Sequence, residues 1–492
     1  MLQGGGQCIA ADQLMGRGDV KRILHLGLGA FHRAHQAMYL QRLHDSGDND
    51  WTLAAGNIRA DVPEASVNAL SPLDVLIAQH GAYTLETIAP DGVTHYERIL
   101  SIRQVVPFDA TLATLIDIGA QSTTRIVSFT VTEAGYYFDA AHRLDLSHAD
   151  VQSDLGGGTR CTIYGALAAI LTERMRRNSG PLTLLSCDNL RGNGLRSRGG
   201  LLDFVDQRGD RTLRAWIDAN TTSPDSMVDR ITPRTSSDVA ARVFAATGWQ
   251  DRAPVMSERF CQWVIEDNFT NGRPAWENVG AALVDNVRPY EEAKIRLLNA
   301  THSCIAWAGT LIGLDFIHEG VRVPAIRRMA YEYVTQDAMP ALAPSPVHLT
   351  EYRDVVLERF ANTHLRDTNQ RVAMDGYAKI PSFIAPTIRE RLARGESIAC
   401  SAVLPALFFN CLLRWHRGEL AFAYHDGAMN PEAAHALFTS ADPLAAFCCD
   451  PTLWGQLAGN AALIQAIRVA DQEVQRFVAA DGLLIRLNSR AP

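Results

Sequence analysis

The sequence predicts an α/β amino-terminal part followed by a mainly helical carboxy-terminal part, and three observations carry that prediction. A short apolar run, Ile23 to Leu26, enters a glycine pair at Gly27 and Gly29, then continues into a helical pattern through Gln36, Met38, Tyr39 and Leu43. Two further runs, Arg125–Val131 and Pro181–Ser186, read as buried parallel strands that end in polar residues. Beyond Pro289 strand patterns become few and helical periodicity takes over. At 492 residues the chain is too long for one core. The expected division is a mobile leader over 1–20, an α/β domain over 21–288 and a mainly helical domain over 289–492.

Composition narrows the function classes. Hydrophobic content of 47% with 20% charged residues is that of a soluble globular enzyme, and a net charge of -8 speaks against nucleic acid or an anionic membrane as partner. Nine scattered cysteines include no C-x-x-C pair, so neither a zinc cluster nor a disulfide framework is visible, and free thiols in the cytoplasm are expected. The longest apolar run, Leu297 to Ile317, contains Asn299, Thr301, His302 and Asp315, which marks a core helix and not a membrane span. The leader lacks a charged stretch before an apolar one, which makes it a poor signal peptide. No exposed apolar helix stands out, and a monomer is the expectation.

The strand, glycine turn and helix at 23–43 are the context in which backbone N–H groups receive a pyrophosphate, the start of a Rossmann-like dinucleotide-binding domain. Gly27 makes the tight turn and Gly29 lets phosphates approach; His32 stands where a third glycine is usual. His32 and His35 are spaced as two metal ligands, yet no third ligand is near. Trp51–Asn57 is the second strand, whose end faces the adenosine ribose: Asp61 points to NAD, and Arg59 leaves NADP open. Ala82–Ile88 and His95–Ile102 alternate as a hairpin around Pro90-Asp91-Gly92, and Phe108–Ile118 reads as a helix. Thr132–Tyr136 and Asn189 fall at strand carboxyl ends, where open α/β sheets place ligands. Asn189 is either an amide donor to a substrate oxygen or a turn former before Gly192-Asn193-Gly194.

The most informative helix is Pro289–Ser303. At about 100° per residue, Lys294, His302 and Asn299 fall near 0°, about 80° and about 140° around it, so all three project from one side. The helix is otherwise apolar, and burying a lysine costs several kcal/mol unless it is paired or neutral. Such a lysine suits a role that uses its shifted pKa. The same pattern also fits a lysine snorkelling from a half-buried helix, with Asn299 and His302 as satisfied core polars.

Taken together, these residues resemble the mannitol dehydrogenase family of polyol-specific long-chain dehydrogenases over nearly the whole chain. The landmarks are Gly27–His35, Thr130–Tyr136, Ser186–Asn189, Met227–Pro233, Lys294–His302, Arg371–Gly376 and Lys379–Pro381. The resemblance implies an NAD(P)-dependent, metal-independent oxidation of a small polyol to a ketose. It makes Lys294 the general base, Asn189 and Asn299 the amides that hold the reacting oxygen, and His302 the histidine beside them. It places Asp229, Arg371 and Lys379 near substrate, and Gly27, Gly29, Ala30 and Phe31 at the cofactor. Phe383 departs from the basic residue of mannitol-type members, and Gly56–Arg59 with Gly81–Thr87 resemble the branch that converts D-arabinitol to D-xylulose. That conversion is the expected reaction; a mannitol 2-dehydrogenase or hexuronate reductase activity is the alternative, and a non-catalytic dinucleotide-binding regulator is the alternative of another class.

For the base to work near neutral pH, a lysine of about 10.4 must fall to roughly 7–8. Glu291, one turn earlier, is either a proton relay or an acid at a helix start. Tyr290-x-x-x-Lys294 also fits the Tyr–Lys pair of short-chain dehydrogenases, but the glycine spacing is not theirs and the pair falls too late in the chain. The absence of a cysteine–histidine cluster sets aside zinc alcohol dehydrogenases.

Overall fold

The structure is a computed structural model that describes residues 20–60, 71–139, 143–233 and 235–488, with side chains described as far as 480. Residues 1–19 of the expected leader and the cofactor candidate Asp61 lie outside the described residues. The chain separates into two compact units, one of residues 1–87 and 95–287, the other of 88–94 and 288–492.

The first unit is built on a six-stranded parallel sheet. Its strands in chain order begin with β1 (Lys21–Leu26) and β2 (Trp51–Gly56). After β3 (Tyr83–Ile88) and β4 (Thr94–Ile99), which belong to a smaller sheet, come β5 (Ile102–Val106), β6 (Thr124–Phe129), β7 (Leu182–Ser186) and β8 (Thr221–Thr222). The spatial order β5-β2-β1-β6-β7-β8 reverses direction between β1 and β6, the switch point at which doubly wound sheets open a ligand crevice. Alternate residues of β1 feed separate cores, Ile23 on one face and Leu24 and Leu26 on the other, as the two-residue period of a strand requires. Two further small sheets are completed by β9 (Ser226–Asp229), β10 (Val255–Glu258), β11 (Gln262–Glu266) and β12 (Ala282–Val284).

Register sets the level at which the chain leaves the large sheet. Leu26 pairs with Gly56 and with Phe129, and Phe129 pairs with Ser186. Gly27, Asn57, Thr130 and Cys187 therefore emerge side by side from one edge.

Local differences from the sequence expectation have identifiable causes. The run read as one strand from His95 to Ile102 divides into β4 and β5. At the division Leu100 N–H donates to Gln41 Oε1 (2.7 Å) and Ser101 Oγ to the Ala37 carbonyl (2.7 Å), so the helix Gln36–Asp45 catches the chain and sends it into the other sheet. The first helix is also interrupted, running Ala30–Ala34 and then Gln36–Asp45, with His35 buried at the break and its Nε2 3.1 Å from the Gln262 carbonyl. Helices Asn193–Gln207 and Arg211–Asn220 have no counterpart in the sequence reading. Glycines inside the first of them mimic a loop, yet Gly200 is needed for packing, since a Cβ there would lie 2.3 Å from the Tyr164 hydroxyl.

The second unit's described residues after Arg288 are helical apart from connections. Three of its helices contain a π turn: Lys294–Asn299 within 288–312, Tyr333–Ala338 within 324–342, and Ile380–Ile384 within 376–393. The first π turn packs against both of the others. Prolines adjoin the latter two, Pro340 in one case and Pro381 with Pro386 in the other, and a missing N–H explains a widened turn there. The first holds no proline, and isolated π turns of that kind concentrate at functional sites.

Candidate active site

On the first unit, the dinucleotide turn is tied down on every side. Gly27 has φ +101°, and a Cβ on it would lie 2.1 Å from the Thr130 carbonyl oxygen, so β1 and β6 close together only over glycine. The Gly27 carbonyl accepts from Gly29 N–H (2.8 Å) and Thr130 Oγ1 (2.8 Å), and Leu28 N–H donates to Asn57 Oδ1 (2.8 Å). Gly29 stands exposed at the N-cap without a capping side chain, and nothing lies within 4 Å of where its Cβ would be. That leaves backbone donors and open space where a phosphate would sit, with Ala30 and Phe31 as the next residues.

His32 replaces the third glycine by a different packing solution. Its ring lies flat on His25 of β1, centroids 3.4 Å apart and planes 13° apart. Burial holds both imidazoles neutral, pushing His25 down to about 3 and lowering His32, with the Arg33 charge adding to the latter. Arg59 is engaged by the Asp150 carboxylate and the Tyr137 hydroxyl, and its Nε donates to the Cys161 carbonyl (2.9 Å). Its charge is already balanced.

Asn189 is exposed just past the end of β7, and its neighbour Asp188 is buried. Asp188 accepts from Val131 N–H (3.0 Å), Thr132 N–H (2.9 Å) and the Tyr136 hydroxyl (2.8 Å), which ties the end of β6 to the end of β7. Burial raises the Asp188 carboxyl, against those three donors. Asn193 adds a second tie, its Nδ2 donating to the Asp188 carbonyl (2.9 Å) and the Ser226 carbonyl (2.8 Å). Asp229 closes β9 and is buried. The supporting role of Asp188 was not anticipated, although it stands one residue before the candidate amide.

On the second unit, Lys294 opens the π turn and is buried; Asn299 closes it and is half-buried. Here the structure corrects the even α-helical spacing. Ala300 N–H reaches back five residues to the Ile295 carbonyl, and the wider turn carries Asn299 closer to the Lys294 side than an α-helix would. Arg296 anchors the same turn, donating to Glu292 Oε2 (2.9 Å) and by both terminal nitrogens to Glu390 (2.6 and 2.7 Å).

His302 follows on the same helix. Its ring stacks on Phe360 at 4.6 Å, and its Nε2 lies 3.1 Å from Asp367 Oδ2. Arg371 grips the same carboxylate in a fork, Nε to Oδ1 at 2.9 Å and Nη2 to Oδ2 at 2.8 Å. Burial works to raise the Asp367 carboxyl, but His302 and the Arg371 fork beside it overcome that and hold it down at about 2. Burial lowers His302 despite the neighbouring Asp367 carboxylate. Lys379 Nζ donates to the Val372 carbonyl (2.5 Å), and burial lowers it to about 8. Its turn is fixed by Gly376, where a Cβ would meet the Phe408 ring at 2.1 Å. His302, Arg371 and Lys379 are thus brought into one electrostatic cluster around Asp367, a residue the sequence reading did not single out. Its one signal was the four-residue spacing from Arg371.

Among the described residues no group of three or more histidines, cysteines or acids is placed to hold a metal ion, no helix is long and apolar enough to cross a membrane, and the cysteines are free thiols.

Comparison with known proteins agrees with this geometry. Residues 21–278 match the mannitol dehydrogenase Rossmann domain, and residues 286–475 match the mannitol dehydrogenase C-terminal domain. The chain is 57% identical to the D-arabinitol 4-dehydrogenase of Ralstonia nicotianae over 461 residues, covering 93% of this chain and 97% of that one. It is 51% identical to the D-arabinitol 4-dehydrogenase of Klebsiella pneumoniae, covering 90% and 96%. Among solved structures, the Pseudomonas fluorescens mannitol 2-dehydrogenase in ternary complex with NAD and D-mannitol superimposes with a TM-score of 0.81 at 32% identity, covering 96% of this chain and 95% of that one. A Rossmann sheet with a helical second unit, two domain matches and relatives aligned along nearly their full length lead to one conclusion: the chain belongs to the mannitol dehydrogenase family.

Proposed function

We propose that this chain oxidises D-arabinitol to D-xylulose with NAD and without a metal, Lys294 serving as general base. The observation that carries the reading is a buried lysine opening a proline-free π turn that ends at Asn299, with His302 following on the same helix. The two relatives named for D-arabinitol support that substrate.

NAD, when bound, supplies the hydride acceptor. The Gly27–Gly29 turn, with Ala30 and Phe31, offers the uncapped backbone donors and space that suit its pyrophosphate. Arg59 is already paired with Asp150, so its guanidinium is committed to a carboxylate in place of the extra phosphate of NADP.

Oxidation removes a hydride from the carbinol carbon and a proton from its oxygen. Lys294 Nζ takes that proton, and Asn299 donates to the oxygen as negative charge develops, an effect worth roughly 3–4 kcal/mol for one such donor. Asn189 and Asp229 keep the roles the family resemblance gives them, amide donor and substrate contact. His302, Arg371 and Lys379 orient the remaining hydroxyls. The charge state of this group favours an uncharged polyol over a hexuronate: Arg371 is committed to Asp367, and Lys379 is partly neutral and tied to a carbonyl.

The test is NAD reduction with D-arabinitol, D-mannitol, xylitol and D-sorbitol, with and without chelator. Chelator-resistant turnover led by D-arabinitol is expected. Preference for D-mannitol would move the substrate and keep the mechanism; NAD binding with no turnover on any polyol would restore the regulator reading.

A further inference from the structure

We infer that His25 is a positioning residue for the cofactor: its imidazole, spanning from β6 to the Gly27 carbonyl, sets the turn on which NAD is held. This rests on the reading of the Gly27–Gly29 turn as the NAD site.

His25 is fully buried, on the face of β1 that it shares with Ile23. Its neighbours Ile23, Leu24 and Leu26 are apolar, and an apolar side chain at 25 would fill the same space without desolvating a polar ring. The ring instead meets a partner at each nitrogen. Nδ1 lies 2.8 Å from Ser128 Oγ, which donates in turn to Gln36 Oε1 (2.8 Å) at the start of the second helical segment. Nε2 lies 3.1 Å from both the Gly27 carbonyl oxygen and Thr130 Oγ1. His32 covers one face of the ring, with centroids 3.4 Å apart. A single side chain thus joins β1, β6, the turn and the helix that follows it.

What this fixes is a peptide plane. The Gly27 carbonyl and the Leu28 N–H belong to one planar unit, so holding the oxygen also aims the hydrogen on the opposite side. That N–H meets Asn57 Oδ1 (2.8 Å), and the same oxygen receives Thr130 Oγ1 (2.8 Å) and Gly29 N–H (2.8 Å). Gly27 needs such support, because a residue without a side chain does not by itself hold a φ of +101°. Burial pushes the ring down to about 3, so it brings no charge to a pyrophosphate and acts through position alone.

The test is titration calorimetry of NAD with the full chain, in the wild type, His25→Gln, His25→Asn and Ser128→Ala. The amide nitrogen of Gln stands as far from Cβ as Nε2 does and reaches the turn; that of Asn stands only as far out as Nδ1 and stops at Ser128. Both substitutions lose the stacked ring, so their urea midpoints should fall alike. NAD affinity should stay within about three-fold of wild type in His25→Gln and weaken about ten-fold or more in His25→Asn, with the KM for the polyol within about two-fold in both. Ser128→Ala, whose lost hydroxyl meets the turn only through His25, should weaken NAD about five-fold. Equal NAD affinities in His25→Gln and His25→Asn would overturn the inference, since a merely structural role does not separate them. Should neither fold, Ser128→Ala decides, and unchanged affinity there overturns the inference as well. A wild type that binds no NAD would sink the reading of the turn itself, and the inference with it.

Discussion

Gly27 and Thr130 approach so closely that a single methyl group on Gly27 would lie 2.1 Å from the Thr130 carbonyl oxygen. The contact joins the two strands that flank the switch point, and it makes the dinucleotide turn a joint product of both. Gly27→Ala adds that clash to an unfavourable φ of +101°, and a loss of roughly 2–4 kcal/mol in stability is expected. NAD affinity, measured by titration calorimetry, should fall with it. Wild-type affinity in the variant would show that the turn is not where the cofactor binds.

Arg174 gives the sharpest stability prediction. Its side chain is fully buried, and its five N–H groups donate to the carbonyls of Gly119, Gln121, Ser179, Gly180 and Pro181. Burial pushes the guanidinium down to about 10, which still leaves it charged. Arg174→Leu removes five hydrogen bonds, with Gln121 and Pro181 keeping the Thr124 N–H and Asn271 Nδ2 as donors, and should cost roughly 3–5 kcal/mol, read as a lower urea midpoint. Arg174→Lys, with three donors, should recover only part.

Asp150 is expected to keep NADP out by occupying Arg59. Asp150→Asn removes the charge that balances the guanidinium, and kcat/KM with NADP should rise relative to that with NAD by about ten-fold. An unchanged ratio would mean that the discrimination lies elsewhere, for instance at Asp61.

The Asp367 pair predicts a signature in acid. Its folded pKa of about 2 lies below the ordinary carboxyl value of 3.8, so the stabilisation is complete above about pH 4 and is lost as pH falls through about 2. The shift corresponds to roughly 2 kcal/mol. The stability gap between wild type and Asp367→Asn in urea should therefore narrow between about pH 5 and about pH 2. A gap that stays constant would show that the carboxylate gains nothing from His302 and Arg371.

Much of this was legible in the sequence because the signals are local. The strand, Gly27-x-Gly29 turn and helix fall within about twenty residues, and the order of family landmarks along the chain was specific enough to imply both domain types. What sequence periodicity missed depends on distant partners. The π turn at Lys294–Asn299 leaves no local mark, since an apolar helix with even α spacing reads the same. Asp367 gains its meaning only from the fold that sets it against His302, sixty-five residues earlier in the chain. The split between β4 and β5 depends on Gln41 and Ala37, contributed by a helix far upstream. Helix Asn193–Gln207 was hidden by glycines whose purpose, as at Gly200, is to admit a neighbouring ring.

The most direct test of the mechanism is the turnover of Lys294→Ala beside wild type with D-arabinitol and NAD, each followed across pH. Loss of the base should lower kcat by roughly 100- to 10,000-fold while NAD still binds. A variant that keeps half or more of the wild-type kcat would contradict Lys294 as the base and return attention to Tyr290.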